Sequence, residues 1–494
     1  MKVLLVNPPE LPGHVSDRDK AGGLGVARPF RPTWRARYLP PTPAMDLLYG
    51  LALADRAGHE PHLVDAVAGR WGVEETLAAV RRAHPDRVGI RLSLPSLAED
   101  LALANLVARE FPQASVFVFG QVIKTTCQTW LPRFEGDAAF HGELEAVLVP
   151  YLDGHPEAAV VRPGQPGEPP PAWAVVDNLD ALPFPAWERV DRAAYAPGGR
   201  PEAFVYYLLT SRGCPKGCSM CPYYVHQGKA WRARSVESVM AEVEHLRKLG
   251  ARLVQTRDPN ISWRKPHLRA IADRLAGQTD LAITTETDLE ALDAEDLKRL
   301  RDAGFRRIMT GVESVDVEIL REIHQNDVAL KRSIANMERC AELGIAVTGF
   351  FIVGSLHETW RTVRNTVETA RRLPCAYSVS LMTPYHGTAM RDAFMAAGYH
   401  AEGPYRSYTG YSGLVRTHGL DHAEVRLAHA WAAAELELVT RTRQLEQARG
   451  LARVTAGLRW AVQRWRIRPL RAQVEAAEQA QGSPAPAPVE QRHA

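Results

Sequence analysis

Short apolar runs alternate with longer stretches whose apolar residues recur at helical spacing, first over residues 1–160 and again over 200–400. In the first block Lys2–Val6, His62–Asp65, Arg87–Ser93, Ser115–Phe119 and Ala138–Phe140 read as buried strands. Ala44–Ala57, Glu74–Ala83 and Leu97–Phe111 read as the helices between them. That alternation predicts an α/β fold with a doubly wound parallel sheet, whose ligands bind beyond the carboxyl ends of the strands. Those ends carry Ser93-Leu94-Pro95-Ser96, Gly120-Gln121 and Gly142-Glu143. Residues 13–38, rich in Gly, Arg and Pro, read as a long loop. Its Gly22-Gly23-Leu24-Gly25 run lacks the third glycine of a dinucleotide fingerprint and is given no such role.

Residues 161–199 form a Pro/Gly-rich linker, and Gly164–Pro171 within it cannot enter a helix or sheet interior. Beyond it the candidate strands are Phe204–Leu209, Arg252–Thr256, Leu281–Thr285, Arg307–Thr310, Ala346–Val353 and Tyr377–Met382. Each is followed by a helical run: Val236–Leu249, Lys265–Leu275, Ala294–Ala303, Ala329–Leu343, Trp360–Leu373 and Ala389–Ala396. Six such units predict a partial barrel, with active residues at the carboxyl ends of its strands. Residues 401–480 turn helical, including one run from Trp431 to Leu458, and residues 481–494 read as a disordered tail. Between Arg441 and Arg471 basic residues dominate, interleaved with Trp460 and Trp465. A helical cap packed on the barrel is the first reading of that stretch, and a peripheral contact with an anionic membrane the second.

The chain has 494 residues, 46% hydrophobic and 24% charged, a composition of soluble globular proteins. A net charge of +3 gives no argument for nucleic acid. Six cysteines are too few for a disulfide framework, and with no signal-like or membrane-spanning run the expected location is a reducing cytoplasm.

Three of those cysteines stand together in Cys214-Pro215-Lys216-Gly217-Cys218-Ser219-Met220-Cys221, directly after a strand-like run. Three thiolates that close can hold three irons of a cubic iron–sulfur cluster and leave the fourth iron open for chemistry. The alternative is a zinc knuckle completed by His226.

The cysteine spacing resembles that of the radical S-adenosylmethionine (SAM) enzymes, and the domain order resembles the group that carries a cobalamin-binding domain in front of the barrel. The resemblance implies a [4Fe-4S] cluster on Cys214, Cys218 and Cys221. It implies SAM contacts from Met220, Asp258, Glu313, Ile352, Gly354, Thr383 and Pro384, and cobalamin contacts from Ser93, Ser96, Gly120, Gln121, Gly142 and Glu143. The sequence departs from the family's common form at Gln121, Met220, Asp288, Leu356 and His357, and His386 stands where a proline is usual. The activity implied is methylation of an unactivated carbon on a small-molecule or lipid substrate, with an electron donor such as flavodoxin or ferredoxin. Oxidation, cyclisation or ring rearrangement without methyl transfer is the alternative, and a non-catalytic cofactor- or partner-binding protein is the alternative of another class. SAM cleavage products distinguish them.

Overall fold

The computed structural model describes all residues except 30–40, 156–157, 164–169, 279, 325–329, 401 and 482–494. The tail expected to be disordered, the centre of the Pro/Gly segment and the end of the 13–38 loop lie outside the described residues. The N-terminal sheet runs in the order Glu60–Asp65, Lys2–Asn7, Arg87–Arg91, Ser115–Phe119, Ala138–Phe140, Val160–Val161. Its first five strands are parallel and the last, two-residue strand is antiparallel. The order reverses at Lys2–Asn7, which places a ligand crevice at the carboxyl ends beside it. The strand from Arg87 ends at Arg91, two residues short of the sequence expectation, because Ser93 is drawn into side-chain hydrogen bonds with Arg18 and Arg91.

Residues 13–29 are not an open loop. His14–Asp17 and Val26–Pro29 pair antiparallel and lie across the carboxyl edge of the sheet, where Leu94 N–H donates to the Leu24 carbonyl at 2.7 Å. Arg18 anchors this flap: buried, it donates to both oxygens of buried Asp100 at 2.8 and 3.2 Å.

The second sheet has six parallel strands in the order Ala376–Leu381, Ala346–Val353, Phe305–Glu313, Ala282–Glu286, Leu253–Thr256, Val205–Leu208. Consecutive strands are neighbours and the two ends do not pair, so the barrel is open, as six units require. One unexpected helix, Val317–His324, follows the Phe305–Glu313 strand. The linker is more than a tether: Trp187 is fully buried against Phe204 and Tyr206, and Ala186 N–H donates to the Leu48 carbonyl. A single apolar core therefore continues from one face of the N-terminal sheet into the barrel.

The C-terminal helical run divides into His422–Gln447 and Gly450–Ala480, not one helix through Leu458. Ala448 and Arg449 are extended between them, and Gly450 has φ +54°. The first helix packs on the edge strand Ala376–Leu381 and the second packs on the first.

Candidate functional site

The cysteine loop is built by backbone. Ser211–Arg212 pairs antiparallel with Arg232–Ala233, closing the loop's two ends. Gly213 has φ +83°, and a Cβ there would stand 2.0 Å from the Ala230 carbonyl oxygen, so no other residue fits the entry. Cys214 N–H donates to the Gly228 carbonyl at 3.1 Å, and Ser219 N–H to the Ile323 carbonyl at 2.7 Å. The unexpected helix Val317–His324 thus clamps the loop's middle. The three cysteines are free and half-buried. Burial pushes the Cys218 thiol up to about 12, so thiolate there needs a bound metal or cluster. Among the described residues no group of three His, Cys, Asp or Glu side chains can hold a single metal ion. His226 is fully buried with both ring nitrogens unpartnered, and burial first and Lys124 second press it down to about 3. No such grouping brings His226 to the cysteines, which is what a zinc knuckle would need.

Around the loop stand acids and lysines. Lys216 reaches Asp288 and, at 3.2 Å, Glu290. Asp288 occupies the position where the resemblance leads one to expect arginine; the positive charge here comes from the cysteine loop itself. Glu313 ends its strand at φ +61°, a left-handed conformation that costs a non-glycine residue about 1–2 kcal/mol. Its carboxylate is 7% exposed, Oε2 has no hydrogen-bond partner, and burial raises the carboxyl to about 8. The following helix is capped by Asp316, which accepts from Glu318 N–H, so Glu313 is not idling at a helix start.

The other expected SAM residues are placed differently. Asp258 is buried with both oxygens occupied: it accepts from Thr210 Oγ1 and Ser211 Oγ, each at 2.6 Å, and from Thr210 N–H at 3.3 Å. It fastens the lead-in to the cysteine loop instead of waiting for an ammonium. Gly354, at φ +104°, donates its N–H to Glu358 at 3.2 Å and meets Val425 of the first C-terminal helix. Thr383 donates to the Leu381 carbonyl and Pro384 accepts from Arg391. Met220 and Ile352 are half-buried against the main core.

Between the sheet and the barrel lies a cavity lined by residues of both. Its sheet wall includes Gly120, Gln121, Gly142 and Glu143; its barrel wall includes Arg212, Tyr223 and Arg257. Arg212, two residues before the first cysteine, donates to Glu143 at 3.0 Å and Glu145 at 2.5 Å, all three buried. Arg91 likewise bonds Asp46 at 2.8 Å and Asp19 at 3.1 Å. Ser93 and Ser96 are not in this wall; Ser96 Oγ donates to Asp100 at 2.7 Å. Gly22 and Gly23, given no role from sequence, do line it. Gly23 has φ +89°, and a Cβ there would stand 2.6 Å from Gln121 Cγ, so glycine lets the flap close on Gln121.

Residues 208–370 match the family model of the radical SAM superfamily. The match falls on the barrel and takes in the cysteine loop. The chain is similar to an uncharacterized methyltransferase of Pyrococcus horikoshii, 24% identical over 74% of this chain and 82% of the relative. It is also similar to hopanoid C-3 methylase of Methylococcus capsulatus, 26% identical over 67% of this chain and 65% of that protein. The solved structure of the radical SAM methyltransferase TsrM from Kitasatospora setae, with cobalamin and a [4Fe-4S] cluster bound, superposes with a TM-score of 0.61. That superposition covers 96% of this chain and 99% of TsrM at 17% identity, a likeness of fold.

Three buried atoms test the fit of the remaining cofactors. Glu313 Oε2, unpartnered, fits a hydroxyl-bearing ligand such as a nucleoside ribose. In the cavity Gln121 Oε1 lacks a donor and Arg257 Nε lacks an acceptor. A ligand fringed with carboxamides, as cobalamin is, offers both.

Proposed function

We propose that this radical SAM enzyme binds cobalamin in the cavity between its domains and methylates an unactivated carbon of a small-molecule or lipid substrate. The observation that carries the reading is the placement of the cysteine loop: Arg212, at its entry, is ion-paired into the wall that holds Gln121 and Glu143. The two centres are thereby held in one rigid unit. The similarity to proteins named methyltransferase and methylase supports the methyl-transfer part.

When bound, the cluster and cobalamin supply, respectively, the electron that splits SAM and the methyl carrier. The chain's own residues do the rest. Cys214, Cys218 and Cys221 would hold the cluster, and Glu313 would accept from SAM hydroxyls. Lys216, steadied by Asp288 and Glu290, sets a positive charge beside the SAM carboxylate. Gly120, Gln121, Gly142, Glu143 and Arg257 receive the corrin's amide edge. Gly22 and Gly23 of the flap at residues 14–29 line part of the cavity. The cluster would need a low-potential electron donor of flavodoxin or ferredoxin type.

The test is anaerobic reconstitution with iron, sulfide and hydroxocobalamin, followed by quantification of SAM products. Methyl transfer predicts S-adenosylhomocysteine together with 5′-deoxyadenosine. Deoxyadenosine alone would contradict methylation, and neither product would contradict the enzyme reading.

A further inference from the structure

The second C-terminal helix, Gly450–Ala480, turns an apolar stripe to solvent. Val454, Leu458, Val462 and Trp465 are 60, 65, 49 and 70% exposed. At ~3.6 residues per turn they fall within an arc of roughly 80°. Every other large exposed apolar side chain among the described residues stands alone on its element, the ordinary condition of a protein surface. A stripe is different. It is not the unused remainder of the helix's packing face: Ile467 and Val474 are buried on the opposite side, where Arg471 bonds Glu435 at 2.6 Å and Glu478 bonds Arg364 at 2.6 Å.

Charge says what covers the stripe. From residue 450 to 474 the helix has six arginines and no Asp or Glu. Exposed Arg464 and Arg468 flank the stripe on one side and exposed Arg466 on the other. A second copy docking face to face would bring these guanidinium groups together without an acid between them. A bilayer with anionic headgroups meets both features: acyl chains take the apolar side chains while the arginines reach phosphates. No helix of the described residues is long and apolar enough to cross a membrane, so the contact is peripheral.

We infer that the outward face of Gly450–Ala480 seats the protein on an anionic lipid bilayer. This placement goes beyond the reaction assigned above and does not depend on it.

The test is co-sedimentation of the full chain with vesicles of phosphatidylcholine, with or without phosphatidylglycerol, at low and high salt. The expected result is binding that requires phosphatidylglycerol and weakens at least about tenfold in high salt. The double variant Leu458→Ser/Trp465→Ser and the triple variant Arg464→Gln/Arg466→Gln/Arg468→Gln should each lose at least about tenfold in affinity. Both should melt like the parent, since the altered side chains are exposed. Failure of the parent to bind either vesicle, or parental binding by either variant, would overturn the inference. So would a dimer that the double variant converts to monomer while vesicle binding is absent.

Discussion

Replacing Glu313 with glutamine should stabilise the protein without ligand and weaken its hold on SAM, two effects of opposite sign from one atom. The carboxyl is buried and held at about 8 against an ordinary 4.5. The folded state therefore keeps a proton that the unfolded state releases, and stability falls as pH rises from 4.5 to about 8. At about 1.4 kcal/mol per pH unit that window is worth at most roughly 5 kcal/mol. Glutamine, neutral at every pH, removes the penalty. The variant should melt like the parent near pH 4.5 and well above it near pH 8. In the same variant one acceptor oxygen for ribose hydroxyls gives way to an amide donor, costing about 0.5–1.5 kcal/mol, or roughly two- to twelvefold in SAM affinity. Thermal melts across pH read the first effect and anaerobic equilibrium dialysis with labelled SAM the second. Parental SAM affinity would refute the ribose role, and an unchanged pH profile would refute the buried-acid argument.

Two further substitutions probe the cysteine loop. Gly213→Ala sets a methyl against the Ala230 carbonyl oxygen at φ +83°; it should cost more than about 2 kcal/mol in thermal stability and lower iron content after reconstitution. Lys216→Met removes the cation paired with Asp288 and Glu290; cluster midpoint potential should move negative by on the order of tens of millivolts, with SAM affinity falling, and Lys216→Arg should restore most of both.

Sequence periodicity sufficed for the barrel because each strand is a short apolar run followed by a helix with one apolar face. Ala346–Val353 and Lys265–Leu275 begin and end where the pattern says. The cysteine loop was legible because its three cysteines fall within eight residues. What escaped depends on partners far away in the chain. The 14–29 flap has no apolar pattern of its own and is held by Arg18 on Asp100, 82 residues on. Arg212 and Glu143 are 69 residues apart, so their ion pair, which joins the cysteine loop to the N-terminal domain, leaves no local trace. Asp258 looked like an ammonium partner by position, but two hydroxyls reach it first. The break at Ala448–Arg449 falls inside an unbroken helix-forming composition, and only the following Gly450 marks it.

The most direct measurement is electron paramagnetic resonance of the anaerobically reconstituted, reduced protein with and without SAM, in parent and Cys218→Ala. A trio of cysteines leaving one iron open predicts a [4Fe-4S] signal in the parent that changes when SAM is added, and no such signal in the variant. An identical, SAM-responsive signal from Cys218→Ala would contradict the account.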